Sequence, residues 1–277
     1  MQVIRAGQSP EGGFVACPAF PQYGYSWLRD GSFIADALSR TGEVASTEAF
    51  FDWVARIVER GLGFDTRYTL AGERDEGEWP RVQHDGWGLW LWAAREHCRR
   101  HGRPHRWEDA AAATATQLKR VRDQPCHDWW EERDGFHAAT LACIAAGLGE
   151  DLDLSRAEQR LDASLLVLPL LGFGSVDVAA LVSPGGGVHR HLEDTYYGGG
   201  EWLLLTAFLG LAEPDLAEAC LAWIEAHELP EGLPEQSQDY LLHPASYDPW
   251  VEKWGPPPSP LLWSHAMYLT LAAEHDS

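Results

Sequence analysis

Apolar positions recur at three- and four-residue spacing along most of the chain, the period of a helix that buries one face. In residues 47–60 the pattern is plain: Phe50, Phe51, Val54, Ile57 and Val58 fall on one side. The same period predicts helices over 32–40, 47–60, 86–99, 107–121, 136–148, 155–165, 201–211, 215–226 and 261–273. Ser46, Ser155 and the Pro214-Asp215 pair read as helix starts, and Gly42, Gly61 and Gly102 as stops. No alternating apolar–polar series of the strand type accompanies them. The expectation is an all-α array of short helices, with the chemistry carried by loops at one end. No linker or low-complexity stretch interrupts it, so residues 1–277 read as a single domain with one core.

The loops between these segments share a composition, an aromatic side chain beside a charged or amide group. Residues 23–31 bring Tyr23, Tyr25, Trp27, Arg29 and Asp30 together; an Arg-Asp pair can grip sugar hydroxyls between aromatic walls. Residues 79–86 hold Trp79, Gln83 and Asp85, with hydrogen-bonding capacity for hydroxyls, although Asp85 equally suits a cap for the helix that follows. Residues 127–135 set Glu131 and Glu132 behind Trp129 and Trp130. A carboxyl group buried against an indole has its pKa raised, which is how a protein makes a general acid.

Residues 190–202 form the richest loop, with Arg190, Glu193, Asp194, three successive glycines and Trp202. Glycines permit close backbone approach and unusual dihedrals. Without a nearby lysine or a G-x-x-x-x-G-K-[ST] pattern they are not a nucleotide loop. Residues 231–236 place Glu235 behind a proline. Solvent is the usual fate of such a loop acid, yet Glu235 is also the best candidate for the second carboxylate that glycoside hydrolysis requires. Residues 262–265 add Trp263 and His265. If successive helices alternate inward and outward around a ring, every second loop reaches the same face and these patches line one pocket.

Composition narrows the partner. Forty-two acids against 21 bases give a formal net charge of -21, and the only lysines are Lys119 and Lys253. Such a surface disfavours nucleic acid and anionic membranes and suits a neutral sugar. Fourteen tryptophans are more than core packing requires, and aromatic faces match the C–H faces of sugar rings. Cys17, Cys98, Cys126, Cys143 and Cys220 are scattered and read as reduced, buried thiols. No histidine has a companion at metal spacing, so no metal and no cofactor is expected. The first residues carry no hydrophobic signal and no apolar run approaches the ~20 residues of a membrane span, which reads as cytoplasmic.

In order, these segments resemble the glucoamylase family of inverting glycoside hydrolases, family 15. Tyr23-Gly-Tyr25-Ser-Trp27-Leu-Arg29-Asp30 is similar to the family's opening motif, and Trp79 to Gly86 to its Trp…Gln-x-Asp-Gly segment. Trp129-Trp130-Glu131-Glu132, Arg190 to Gly200 with Trp202, Leu233-Pro234-Glu235-Gln236, and Leu261-Leu262-Trp263-Ser264-His265-Ala266 complete the series. The resemblance implies an (α/α)6 barrel of about twelve helices and an exo-acting hydrolase that releases glucose from non-reducing ends with inversion. It implies that Glu131 protonates the glycosidic oxygen and that Glu235 activates water, the two lying about 6.5–9.5 Å apart with Glu131 the more desolvated. Arg29, Asp30 and Arg190 are implied to bind the terminal glucose, and Glu132 the boundary with the next sugar. The family's N-terminal β-sandwich is absent from this sequence, and the first barrel helix is missing or reduced to a stub around Val3-Ile4-Arg5. A barrel short of one helix exposes an apolar seam that a second copy of the chain would cover. The rival readings are a trehalase and a non-catalytic carbohydrate-binding or regulatory domain on the same fold.

Overall fold

How far round each helix the apolar residues run decides its place in the fold. The computed structural model describes residues 1–61, 63–103 and 106–275. In chain order its α-helices are α1 (Gln2–Ala6), α2 (Leu28–Arg40), α3 (Val44–Glu59), α4 (Asp85–His101), α5 (Glu108–Val121) and α6 (Ala138–Leu148). They continue as α7 (Val167–Leu170), α8 (Leu203–Ala212), α9 (Ala217–Ala226), α10 (Tyr247–Trp254) and α11 (Leu262–His275). Helix α5 buries only Ala110, Thr114 and Leu118, one stripe at four-residue spacing, and so lies on the outside. Helix α8 buries every residue from Leu203 to Gly210, and α2 every residue from Leu28 to Ser39. Helices buried over most of their surface belong inside, and α2, α4, α6, α8 and α11 form an inner ring, with α3, α5 and α9 packed outside it.

Within that ring α11 packs on α2, α2 on α4 and α4 on α6, while α8 closes onto α11. Between α6 and α8 no long helix intervenes; a 3₁₀ turn (Ala163–Leu166) and α7 fill the place. Helices α4 and α6 approach so closely that a Cβ on Gly88 would stand 2.2 Å from the Cys143 carbonyl oxygen. Phe33 stacks on Trp263 with ring centroids 5.5 Å apart, and Trp129 and Phe208 complete this aromatic centre of the core. The result is the helical toroid of the (α/α)6 class, with eleven α-helices among the described residues. The stub expected at Val3-Ile4-Arg5 is α1, packed on α11 through buried Ile4.

One predicted helix is corrected. Residues 155–165 are turns and extended chain, with helical structure beginning only at Ala163. The polar side chains there have longer-range uses: Arg160 lies 3.5 Å from Asp162 and 3.7 Å from Glu193, and Asp162 accepts from the Trp130 indole at 3.0 Å. Its would-be apolar face is also unburied, with Leu161 exposed. Ser155 is no helix start, its N–H being held by Asp153, and Ser46 lies inside the first turn of α3. Gly102 does end α4 in the left-handed region, at φ 59°. All five cysteines are buried, and no helix among the described residues is long and apolar enough to cross a membrane.

Three two-residue antiparallel pairs tie the loops at the end of the toroid where the patches gather. They join β1 (Ser26–Trp27) to β2 (Arg67–Tyr68), β3 (Cys126–His127) to β4 (Asp134–Gly135), and β5 (Glu201–Trp202) to β6 (Gln236–Ser237). Pairs this short cannot show alternation in sequence, and each lies directly beside a segment of aromatic and charged residues.

Candidate active site

The patches converge on a cavity of about 400 Å3. Its wall includes Tyr23, Trp27, Arg29, Asp30, Trp79, Trp130, Glu131, Glu132, Arg190, Trp202, Glu235 and Trp263, all singled out in the sequence. Each acid reaches it by a different local device. Glu131 and Glu132 stand at the tip of the β3–β4 hairpin. Buried Asp128 shapes that tip by accepting the N–H groups of Glu132 at 2.8 Å and Arg133 at 3.3 Å. Glu131 pays for its position with φ 62°, a left-handed conformation that costs a non-glycine residue on the order of 1–3 kcal/mol and that clusters at active sites.

The Glu131 carboxylate is held from three sides. Trp27 donates its indole N–H to Oε1 at 2.8 Å, Trp79 donates to Oε2 at 2.9 Å, and Arg29 lies 3.4 Å away. Burial raises its pKa above the usual carboxylate value, while Arg29 and the two indoles oppose the rise. Arg29 is itself buried and donates to Gln83 and Asp85, both at 3.1 Å. Asp30, 3.5 Å from Arg29, is pushed up to about 7 by its burial, against the pull of Arg29.

Glu235 arrives just before β6. Its N–H donates to the Pro258 carbonyl at 2.9 Å, and the Ser264 hydroxyl holds the preceding Pro234 carbonyl at 2.9 Å. Leu233 donates its N–H to His265 Nε2 at 2.9 Å. Burial pushes His265 down to about 4, which keeps the imidazole neutral and its nitrogen free to accept. Among the described residues no cation forms an ion pair with Glu235. Burial raises it to about 8, opposed by hydrogen bonding from Tyr196, the charge of Arg190 and hydrogen bonding from Tyr23. Glu235 is 2% exposed and the Glu131 side chain 11%, so both acids are buried and Glu131 is not the more enclosed of the two.

Glu132 has a third setting. Arg190 donates to it at 2.8 Å and His191 Nε2 lies 3.1 Å away; against the cost of burial these bring it down to about 2. Arg190 is fixed in turn by Asp194, whose Oδ2 accepts from Nε at 2.7 Å. Glu132, His191 and Asp194 bring ligand atoms within 4.8 Å of one another, but the Arg190 guanidinium already bonds both carboxylates and supplies the positive charge there.

Five residues named from the sequence stand off the wall. Gln83, Asp85 and Asp194 are buried behind it, bonded to Arg29 or Arg190. Tyr25 stacks on Arg67 with 4.1 Å from its ring centre to the guanidinium carbon. Glu193 is largely exposed and pairs with Arg160. In the other direction, Phe20, Tyr196, Tyr197, Trp250, Lys253 and Trp254 lie on the wall without having been named from the sequence. Tyr196 and Tyr197 lie inside the glycine-rich loop, and Trp250 and Trp254 show a four-residue helical spacing that signals one exposed aromatic face of α10. The glycine run serves as predicted: a Cβ on Gly199, at φ 69°, would strike the Asp194 carbonyl.

No family model matches the chain. It is 36% identical to the isomaltose glucohydrolase of Kribbella flavida over 347 aligned positions, taking in 98% of this chain and 90% of that one. Those positions outnumber the 277 residues of the chain, so the relative has internal segments without counterparts here. An uncharacterized glycosyl hydrolase of Methanocaldococcus jannaschii is 27% identical across 96% of this chain, which spans 53% of that protein. A solved glycosidase variant in complex with glucose matches with TM-score 0.86 and 35% identity, over 99% of this chain and 94% of that one. A bacterial glucoamylase complexed with acarbose, 18% identical, shares the fold with TM-score 0.75 over 99% of this chain and 54% of that one.

Proposed function

The chain belongs to the glucoamylase family of glycoside hydrolases, family 15, and on that premise we propose that it releases glucose, with inversion, from the non-reducing ends of short α-1,4- or α-1,6-linked gluco-oligosaccharides. It is a glycoside hydrolase acting on an α-glucoside. The observation that carries the finer reading is the convergence of Glu131 and Glu235 on one aromatic-walled cavity beside Arg29 and Asp30. The name of the Kribbella relative favours isomaltose among the substrates.

In this mechanism Arg29 and Asp30 hold hydroxyls of the terminal glucose, and the tryptophans take its C–H faces. Glu131 gives its proton to the glycosidic oxygen as the C1–O bond breaks, and the remaining sugar leaves as an alcohol. Glu235 takes a proton from a water whose oxygen bonds C1 from the opposite face, so the product is β-glucose. Glu132, ionised through Arg190 and His191, contacts the next sugar.

A second reading exchanges the two acids. The cation and indole donors around Glu131 favour its ionised form, whereas Glu235 has no ion pair among the described residues and burial raises it to about 8. α-Glucosyl fluoride distinguishes them, because fluoride departs without a proton. Glu131→Gln is expected to retain hydrolysis of the fluoride and to lose hydrolysis of maltose, isomaltose and panose; the same behaviour from Glu235→Gln would exchange the roles. Anomer detection during glucose release tests inversion, initial α-glucose being the opposing result. Release from trehalose alone would make the protein a trehalase, and no release from any α-glucoside would leave a carbohydrate-binding domain.

A further inference from the structure

Arg67 belongs to none of the segments that carry the chemistry, yet it is 7% exposed and packs on both indoles that bond the acid. The β1–β2 ladder pairs it with Trp27, one of the two indole donors to Glu131. Its guanidinium carbon lies 3.9 Å from the ring centre of Trp79, the other donor, and 4.1 Å from that of Tyr25, so the plane is sandwiched. The Trp27 ring centre is 5.2 Å away. Asp75 pins the guanidinium at 2.8 Å and the Gln22 carbonyl accepts from it at 2.9 Å. A planar, delocalised cation stacks on aromatic faces as a lysine ammonium cannot.

We propose that Arg67, locked by Asp75, is a positioning residue for Glu131: it holds the Trp27 and Trp79 rings so that both indole N–H groups meet the carboxyl and water stays off it. The proposal rests on the reading of Glu131 as a reacting acid. It also explains why Tyr25, predicted at the wall, stands behind it as the far face of the sandwich.

Loosening the two rings admits water, whose O–H groups replace the indole donors. What is then lost is desolvation, the largest influence on Glu131, so its pKa falls toward the ordinary carboxylate value. The other groups facing Glu131 are Arg29, Asp30, Asp85 and Tyr23. Losing the Arg67 charge and leaving Asp75 unpaired both push Glu131 the other way, but burial and the groups that touch the carboxyl outweigh them.

Arg67→Met fills the gap between the rings without the plane or the charge. Asp75→Asn is the milder variant, leaving the arginine in place. The Glu131 carboxyl is followed by 13C-NMR titration of glutamate-labelled protein, its signal assigned by its absence in Glu131→Gln; this readout does not depend on turnover. The expected results are a Glu131 titration moved to lower pH in Arg67→Met, by about half a unit or more, and a smaller shift of the same sign in Asp75→Asn. kcat is expected to fall about tenfold or more, with KM changed less than twofold, while Arg67→Lys restores only part of the loss. A folded Arg67→Met protein with an unmoved Glu131 titration overturns the proposal, whatever its activity. So does an Asp75→Asn protein unmoved where Arg67→Met does not fold. Failure of the functional reading itself would instead appear as a wild-type protein inactive on every α-glucoside.

Discussion

Glu131 and Glu235 face the same cavity from opposite kinds of surroundings. Glu131 is ringed by a guanidinium and two indole N–H groups, and those donors are fixed from behind by Arg67, Gln83 and Asp85. Glu235 has phenols, the charge of Arg190 without an ion pair among the described residues, and one carboxylate oxygen without a partner there. Burial raises both and a charge opposes it at each, but Arg29 pairs directly with Glu131 whereas Arg190 acts on Glu235 without an ion pair. The first acid is therefore held in one place with its proton affinity tempered; the second is held by its backbone, through Pro258, Ser264 and His265, with its proton affinity left high.

The strongest way to break the comparison is to remove each acid. Glu131→Gln and Glu235→Gln are each expected to lower kcat on isomaltose by about 10²–10⁴-fold, measured as initial glucose release, with α-glucosyl fluoride separating the two. Equal behaviour on the fluoride would erase the distinction.

Next in size is the cation. Arg29→Met leaves Asp30, Asp85 and Glu131 without their shared partner in a buried site. The expected cost is about 3–5 kcal/mol of stability by urea unfolding, along with loss of activity. An unchanged midpoint would mean that these acids do not depend on the arginine.

Tyr196→Phe sharpens the other side. Glu235 loses a hydrogen bond that favours its ionised form, so its pKa rises further, and the acidic limb of the kcat/KM profile moves up by about one unit. Activity at the acidic end falls about tenfold. Movement of the basic limb instead would assign Glu235 the donor's part.

The smallest effect is thermodynamic and needs no substrate. Between the ordinary carboxylate pKa and about 8, folded Glu235 keeps a proton that the unfolded chain has given up, so this residue lowers stability as pH rises through that window. Glu235→Gln removes the penalty: its Tm should exceed the wild-type value by about 2–4 °C at pH 8 and match it at pH 4. Glu132 has the opposite sign. Lowered to about 2, it adds stability above the ordinary carboxylate pKa that is lost as pH falls through about 2. Its side chain is 37% exposed, so screening holds that contribution under about 1 kcal/mol.

Helices such as α3 and α5 were legible because their apolar stripes repeat at helical spacing, and α4 also because Gly102 ends it. The site segments were legible because tryptophan, arginine and paired acids are costly to leave without a partner. Residues 155–165 misled because Leu161 and Leu165 fit a helical stripe, while the polar residues between them bond to distant groups that no window of sequence contains. Arg67 and Asp75 were invisible for a related reason: Arg67 sits in a strand of two residues and Asp75 in the irregular chain beyond it, and their meaning lies in the rings of Trp79 and Tyr25 against which Arg67 packs. Gln83, Asp85 and Asp194 were found as neighbours of the site, but spacing alone does not tell a side chain on the wall from one that supports it.

By itself the sequence determined the helical class, the single run of aromatic-and-acid segments and the family to which their order points. These depend on local period and on residue chemistry, both of which survive in a one-dimensional string. Only the tertiary structure decided which acid gains a cation, which is left in apolar surroundings, and which tryptophans turn their N–H groups toward Glu131 across 52 and 104 residues of chain. Proton affinity is set by distance and desolvation, and neither quantity exists until the chain has folded.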